Sequence, residues 1–198
     1  MIDPSRVKVI VIGASMGGLN AFAKIFSQIH EDFYLPIVCV NHITANFDSN
    51  WIKDINSKTP LEVSWGEHYQ FVKPGHCIFG PPDHHIVFSG KTRVLLNDDE
   101  PYHQCRPAIN HLFHSAAEHY GRGVLAILLT GLNHDGTDGL ISVLQKHGQV
   151  LIQDPDDAAV ADMPMAAVHK INPEYVYTLD EIARLMNQVS NYQRKFSK

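Results

Sequence analysis

Hydrophobic and polar positions fall into short apolar runs that alternate with stretches of helical period. Val7-Lys8-Val9-Ile10-Val11-Ile12 is apolar at nearly every position, which predicts a strand buried on both faces. Leu19, Phe22, Ala23, Phe26 and Ile29 then recur at helical spacing and predict a helix over 17–29. A second strand is predicted at 36–40, and a helix over 47–58 with Asp48 or Ser49 as its cap. The rhythm resumes with a helix opened by Pro107 and running to 120, a strand at 124–129 and a helix ending at 147. A strand at 149–153, a short helix at 163–169, a strand at 175–178 and a closing helix over 180–195, capped by Asp180, complete the series. Strands and helices in this order build a parallel sheet covered on both faces.

Between 61 and 96 the pattern changes. Pro74-Gly75, Gly80-Pro81-Pro82 and Ser89-Gly90 punctuate short alternating runs, the signature of an antiparallel hairpin or meander. The expectation is a three-layer α/β fold: a mostly parallel sheet flanked by helices, with an antiparallel hairpin insertion. A chain of 198 residues is long enough for one well-buried core and cramped for two, so residues 1–198 read as a single domain.

Composition narrows the function classes. Hydrophobic residues make up 44% and charged residues 19%, ordinary for a globular protein. The formal net charge is −5 and the Lys and Arg residues form no run, so a nucleic-acid partner is not expected. No apolar stretch approaches the roughly 20 residues that span a bilayer, and no basic leader precedes the first apolar run. Cys39, Cys77 and Cys105 are odd in number and far apart, which fits reduced thiols and a cytoplasmic location. Thirteen histidines raise the question of a metal. His111 and His114 stand three apart, with His84-His85 and His103 not far away, but no H-E-x-x-H or C-x-x-C accompanies them. No metal or other cofactor is expected.

The chemistry concentrates in Gly13-Ala14-Ser15-Met16-Gly17-Gly18, between the first strand and the first helix. As a dinucleotide turn it fails, because Ser15 stands where the second glycine of G-x-G-x-x-G belongs and the second strand ends in Asn41-His42 rather than an acid. A purely structural turn is the plain alternative. The third reading is a nucleophile turn of G-x-S-x-G form, with amide donors at the helix start beside an exposed serine. A serine nucleophile needs an oriented base, and in a parallel sheet partners belong just after other strands. His42 directly follows the second strand, and Asp135 lies in the loop after the strand at 124–129. The order Ser…His…Asp differs from the Ser…Asp…His of α/β-hydrolases.

Together these segments resemble the catalytic domain of chemotaxis protein-glutamate methylesterases, the CheB type. Beside the serine loop and Asn41-His42, the resemblance rests on Leu129-Thr130-Gly131-Leu132-Asn133-His134-Asp135-Gly136, Pro74-Gly75-His76, Pro82-Asp83-His84-His85, Arg106-Pro107, Leu112-Phe113-His114-Ser115 and Met163-Pro164. It implies hydrolysis of glutamate γ-methyl esters, with glutamine deamidation in some members, on the cytoplasmic domain of methylated chemoreceptors. Ser15, His42 and Asp135 would be nucleophile, base and orienting acid, with the oxyanion held at the amides of Met16 and Leu132 beside Gly17. Departures from the family pattern are Met16 for threonine, Leu132 for methionine, Asn133 for a glycine and Ile43-Thr44 after the histidine. Asparagine is the residue that best tolerates a left-handed conformation after glycine, so that turn is expected to survive the change. The family's receiver domain has no counterpart ahead of the first strand, so control through a fused receiver is not expected.

Several neighbours keep two readings. Asp138 is a rival acid or a helix cap, and Arg106 is either a substrate contact or a helix-end ion pair. Asp154-Pro155-Asp156-Asp157 is a solvated acidic turn or a steering patch. His85 and His114 read as loop or core histidines. The alternatives to the methylesterase are a non-catalytic binding module and an esterase for a small-molecule ester.

Overall fold

A computed structural model describes residues 2–43, 50–171 and 173–196. The first strand, β1 (Val9–Ala14), is buried along its whole length, as its unbroken apolar run requires. α1 (Gly18–Phe26) and β2 (Ile37–Asn41) follow, then α2 (Asn50–Asn56), β3 (Glu62–Trp65) and β4 (His76–Phe79). The start and caps expected for the helix at 47–58 lie outside the described residues. β5 (His85–Ser89) and β6 (Arg93–Asn97) precede α3 (Ile109–Tyr120), β7 (Val124–Leu128) and α4 (Thr137–Gln145). β8 (Gln149–Gln153), α5 (Asp162–Lys170), β9 (Val176–Tyr177) and α6 (Leu179–Phe196) close the chain.

Seven strands form one parallel sheet in the order β3-β4-β2-β1-β7-β8-β9, and β5 pairs with β6 in a separate antiparallel sheet. The expected three-layer architecture holds, with one difference in the middle. The segment 61–96 is only half antiparallel, because β3 and β4 join the edge of the parallel sheet. Turn residues at 66–75 look alike whether they close a hairpin or carry a helix-free crossover, so direction was not readable there.

Alternation along the strands divides the core. Ile10, Ile12, Ile37 and Cys39 pack with Phe22 and Phe26 of α1, Ile52 of α2, and Ile182 and Met186 of α6. Val9, Val11, Val38 and Val40 pack on the opposite face with Ile109 and Leu112 of α3, Leu140 of α4, Met163 of α5 and the hairpin residues Ile86 and Val94. Each such side chain, fully buried, contributes about 1.5–3 kcal/mol. At α6 the cap is Thr178 rather than Asp180. Thr178 Oγ1 accepts from the Glu181 amide while the Glu181 carboxylate accepts from the Thr178 amide. Asp180 pairs instead with Lys24 and Gln28 of the α1 end.

Strand order reverses between β1 and β7. In an open parallel sheet, the crevice outside the carboxyl ends at such a reversal is where a ligand fits. The loops after β1, β2 and β7 all open there.

Candidate active site

Backbone hydrogen bonds extend the sheet past its last strand residues and set the three loops in register. The Ser15 amide donates to the Thr130 carbonyl at 2.9 Å, and the His42 amide to the Ala14 carbonyl at 3.0 Å. Ser15 therefore lies between the residues that follow β2 and β7. Gly17, the cap of α1, has φ 81°, and an added Cβ would meet Ala159 and Thr130. Gly131 is held closer still: a Cβ there would come within 2.2 Å of Met163 Cε and 2.8 Å of Ser15 Cβ. Glycine lets the β7 loop approach the serine.

In this frame Ser15, His42 and Asp135 form one hydrogen-bonded chain. His42 Nδ1 lies 3.1 Å from Ser15 Oγ, and His42 Nε2 lies 2.8 Å from Asp135 Oδ2. The nitrogens are used in the reverse order from the serine-protease triad. The His42 side chain is 10% exposed and that of Asp135 is fully buried. The carboxylate also accepts amide protons from Ile109 at 2.6 Å, Asn110 at 3.0 Å and Gly136 at 2.8 Å. Two of those donors begin α3, whose own cap, Ala108, offers no side-chain acceptor. One buried carboxylate thus orients the imidazole and caps a helix. Asp138 is elsewhere, in the first turn of α4, where it pairs with Lys170 at 3.4 Å.

Charge follows from this geometry. Burial works to raise the Asp135 pKa, but the His42 hydrogen bond and charge and the two α3 amides outweigh it and hold the carboxyl below its ordinary value. Burial likewise pulls the His42 pKa down, and hydrogen bonds and charge from Asp135 and Cys105 overcome it, raising it to about 9.

The chain of residues sits at the wall of an open cavity of about 770 Å³, lined by Ser15, Met16, His42, Gln104, Cys105 and Arg106 among others. Met16, in the cavity wall, and Leu132, in the loop after β7, are 56% and 57% exposed, and their amides make no hydrogen bond to a described residue. Arg106 lines the cavity and is in no ion pair among the described residues: its Nη1 donates to the carbonyls of Asp98 and Asp99. Asn133 is not left-handed. Its Oδ1 instead accepts the Asp135 amide at 3.0 Å, a side-chain turn that replaces the backbone freedom of glycine. His85 is a core histidine, accepting the Ala108 amide and reaching the Glu100 carbonyl. In the acidic turn, Asp157 accepts the Leu179 amide at the start of α6. Cys105, whose Sγ is 3.5 Å from His42 Nδ1, had no signal in the sequence, since it stands neither at a strand end nor in a helical period.

The sequence profile of the CheB methylesterase family matches residues 10–186. The chain belongs to the CheB methylesterase family. A Leptospira interrogans chain provisionally named a protein-glutamate methylesterase/protein-glutamine glutaminase is 33% identical over 90% of this chain and 92% of its own length. An Anaeromyxobacter dehalogenans protein-glutamate methylesterase/protein-glutamine glutaminase is 34% identical over 94% of this chain, which spans 54% of that longer protein. The crystal structure of the Thermotoga maritima CheB methylesterase catalytic domain superposes with a TM-score of 0.87 at 28% identity, covering 92% of this chain and 98% of that one. The matched region contains all three members of the hydrogen-bonded chain. No helix among the described residues is long and apolar enough to cross a membrane.

Proposed function

We propose that this CheB family member is a protein-glutamate methylesterase, a single catalytic domain over residues 1–198 that hydrolyses glutamate γ-methyl esters on the cytoplasmic helices of chemoreceptors. The observation that carries it is the Ser15–His42–Asp135 hydrogen-bonded chain opening onto the cavity at the strand-order reversal. Ser15 Oγ attacks the ester carbonyl while His42 Nδ1 takes its proton. Asp135 fixes the tautomer with hydrogen on Nε2 and stabilises the imidazolium that forms. The amides of Met16 and Leu132 serve as donors to the tetrahedral oxyanion, each worth about 3–4 kcal/mol. His42 then returns the proton to departing methanol, and water, activated by the same nitrogen, releases the acyl group. A γ-carboxamide offers the same carbonyl geometry with ammonia as leaving group, so glutaminase activity follows by the same route.

The test is methanol release from methylated receptor cytoplasmic fragments. Wild type should turn over and Ser15→Ala should lose activity by several orders of magnitude. A serine-directed phosphonate should label wild type only; equal labelling of Ser15→Ala would remove Ser15 as nucleophile. Turnover of simple activated esters without receptor fragments would favour a small-molecule esterase.

A further inference from the structure

Two nucleophiles of different softness face one base. Cys105 Sγ lies 3.5 Å from His42 Nδ1, the nitrogen that also faces Ser15 Oγ at 3.1 Å. The thiol is placed there by a tight reversal. Tyr102 and Cys105 exchange backbone hydrogen bonds of 3.1 and 2.8 Å, with His103 and Gln104 between them at φ 47° and 64°. Two successive left-handed residues that are not glycine are an unfavourable way to build a turn. The His103 ring packs 4.6 Å from that of His134, which ties the reversal to the loop carrying Asp135, and Asn133 Nδ2 is 3.5 Å from the sulfur.

The cavity in front of this thiol is open, and its wall also carries the polar residues Asn20, Asp83, Gln104 and Arg106, so a small polar molecule can approach the sulfur. Cys39 and Cys77 differ in every respect: both are fully buried, 3.6 Å from each other in the core.

We propose that Cys105 is a covalent modification site for small, polar, soft electrophiles, and that its modification switches the hydrolase off. This rests on the reading of His42 as the general base. Sγ forms a bond to the electrophilic carbon, the leaving group departs with the electron pair of the bond it loses, and the thiol proton passes to His42 Nδ1. With iodoacetamide, the S–C bond forms, the C–I bond breaks and iodide leaves. The carbamidomethyl group then occupies the space before Ser15.

The experiment is a time course of iodoacetamide labelling of the whole chain near neutral pH, read by peptide mass and followed in parallel by turnover of an activated ester. Cys105 should label at least tenfold faster than Cys39 or Cys77, and turnover should fall in step with its labelling. His42→Ala should slow Cys105 labelling about tenfold or more. Ser15→Ala, which removes the competitor for Nδ1, should label as fast as wild type or faster, and it guards against a folding defect in the histidine variant. Cys105→Ser should keep whatever turnover it has through the same exposure. Labelling that ignores His42→Ala, labelling slowed by Ser15→Ala, or full modification with turnover intact would each overturn the proposal. The labelling rates do not depend on which ester is the natural substrate, so failure on receptor fragments leaves this result readable.

Discussion

At the scale of single residues, His42 decides the pH behaviour. In the proposed mechanism, a His42 whose pKa is raised to about 9 is mostly protonated at neutral pH, and only its minor neutral form takes the Ser15 proton. For an uncharged ester, kcat/KM should climb about tenfold per pH unit and level off near pH 9. Cys105 contributes to that elevation, so Cys105→Ala should move the limb to lower pH; an unmoved limb would mean that Asp135 alone sets it. The residues of this chain were legible in the sequence because each stands directly after a strand or in a strand-following loop, where parallel-sheet geometry makes neighbours of distant positions. Cys105 was not legible. It reaches His42 across 63 positions through a reversal that no hydrophobic period marks.

At the scale of elements, the loop after β7 and the start of α3 behave as one unit because Asp135 joins them. Replacing the acid by asparagine keeps an oxygen for the Asn110 and Gly136 amides but turns a donor toward His42 and the Ile109 amide, which share Oδ2, and kcat should fall about 10⁴-fold with a partial loss of stability. Asp135→Ala should lose the same activity and also cost about 1–3 kcal/mol, since three buried amides lose their acceptor. Chemical denaturation of the two variants separates the roles. Gly131→Ala tests the close approach. Met163 is flexible enough to yield, but Ser15 Cβ cannot move without shifting Ser15 Oγ from His42. Phosphonate labelling of Ser15 should slow about a hundredfold, more than a modest loss of stability from overpacking explains. Helices and strands were readable by period, whereas their caps often were not. Thr178 rather than Asp180 caps α6, and Asn133 braces its turn through a side chain, because such choices depend on local hydrogen bonds that composition leaves open.

At the scale of the whole molecule, histidines of opposite sign shape stability. His42 is raised from an ordinary value of 6.5 to about 9, so its contribution is complete below 6.5 and is lost as pH rises through 9. Burial, its largest cause, lowers the pKa of His85 and likewise of His114, so their contributions are complete above 6.5 and are lost as pH falls through the depressed values. Asp135 adds a loss at still lower pH, through its lowered value. Denaturant midpoints should therefore peak around pH 6.5 and decline on both sides; a midpoint rising steadily to pH 9 would contradict the elevation of His42. The architecture was legible at this scale from alternating runs, down to the parallel sheet and its inserted hairpin. Which edge β3 and β4 would join was not, since strand partners are non-local and the residues at 66–75 suit either direction.

The carboxylate that caps α3 also makes the site observable by a route unrelated to turnover. The amide protons of Ile109 and Asn110 sit on the oxygens of the carboxylate that partners His42, so their nuclear magnetic resonance positions should move with the protonation of Asp135 and with any change in its bond to His42. Two backbone signals at a helix start would then act as a spectroscopic gauge of the imidazole's partner, readable in the resting protein without substrate, inhibitor or label.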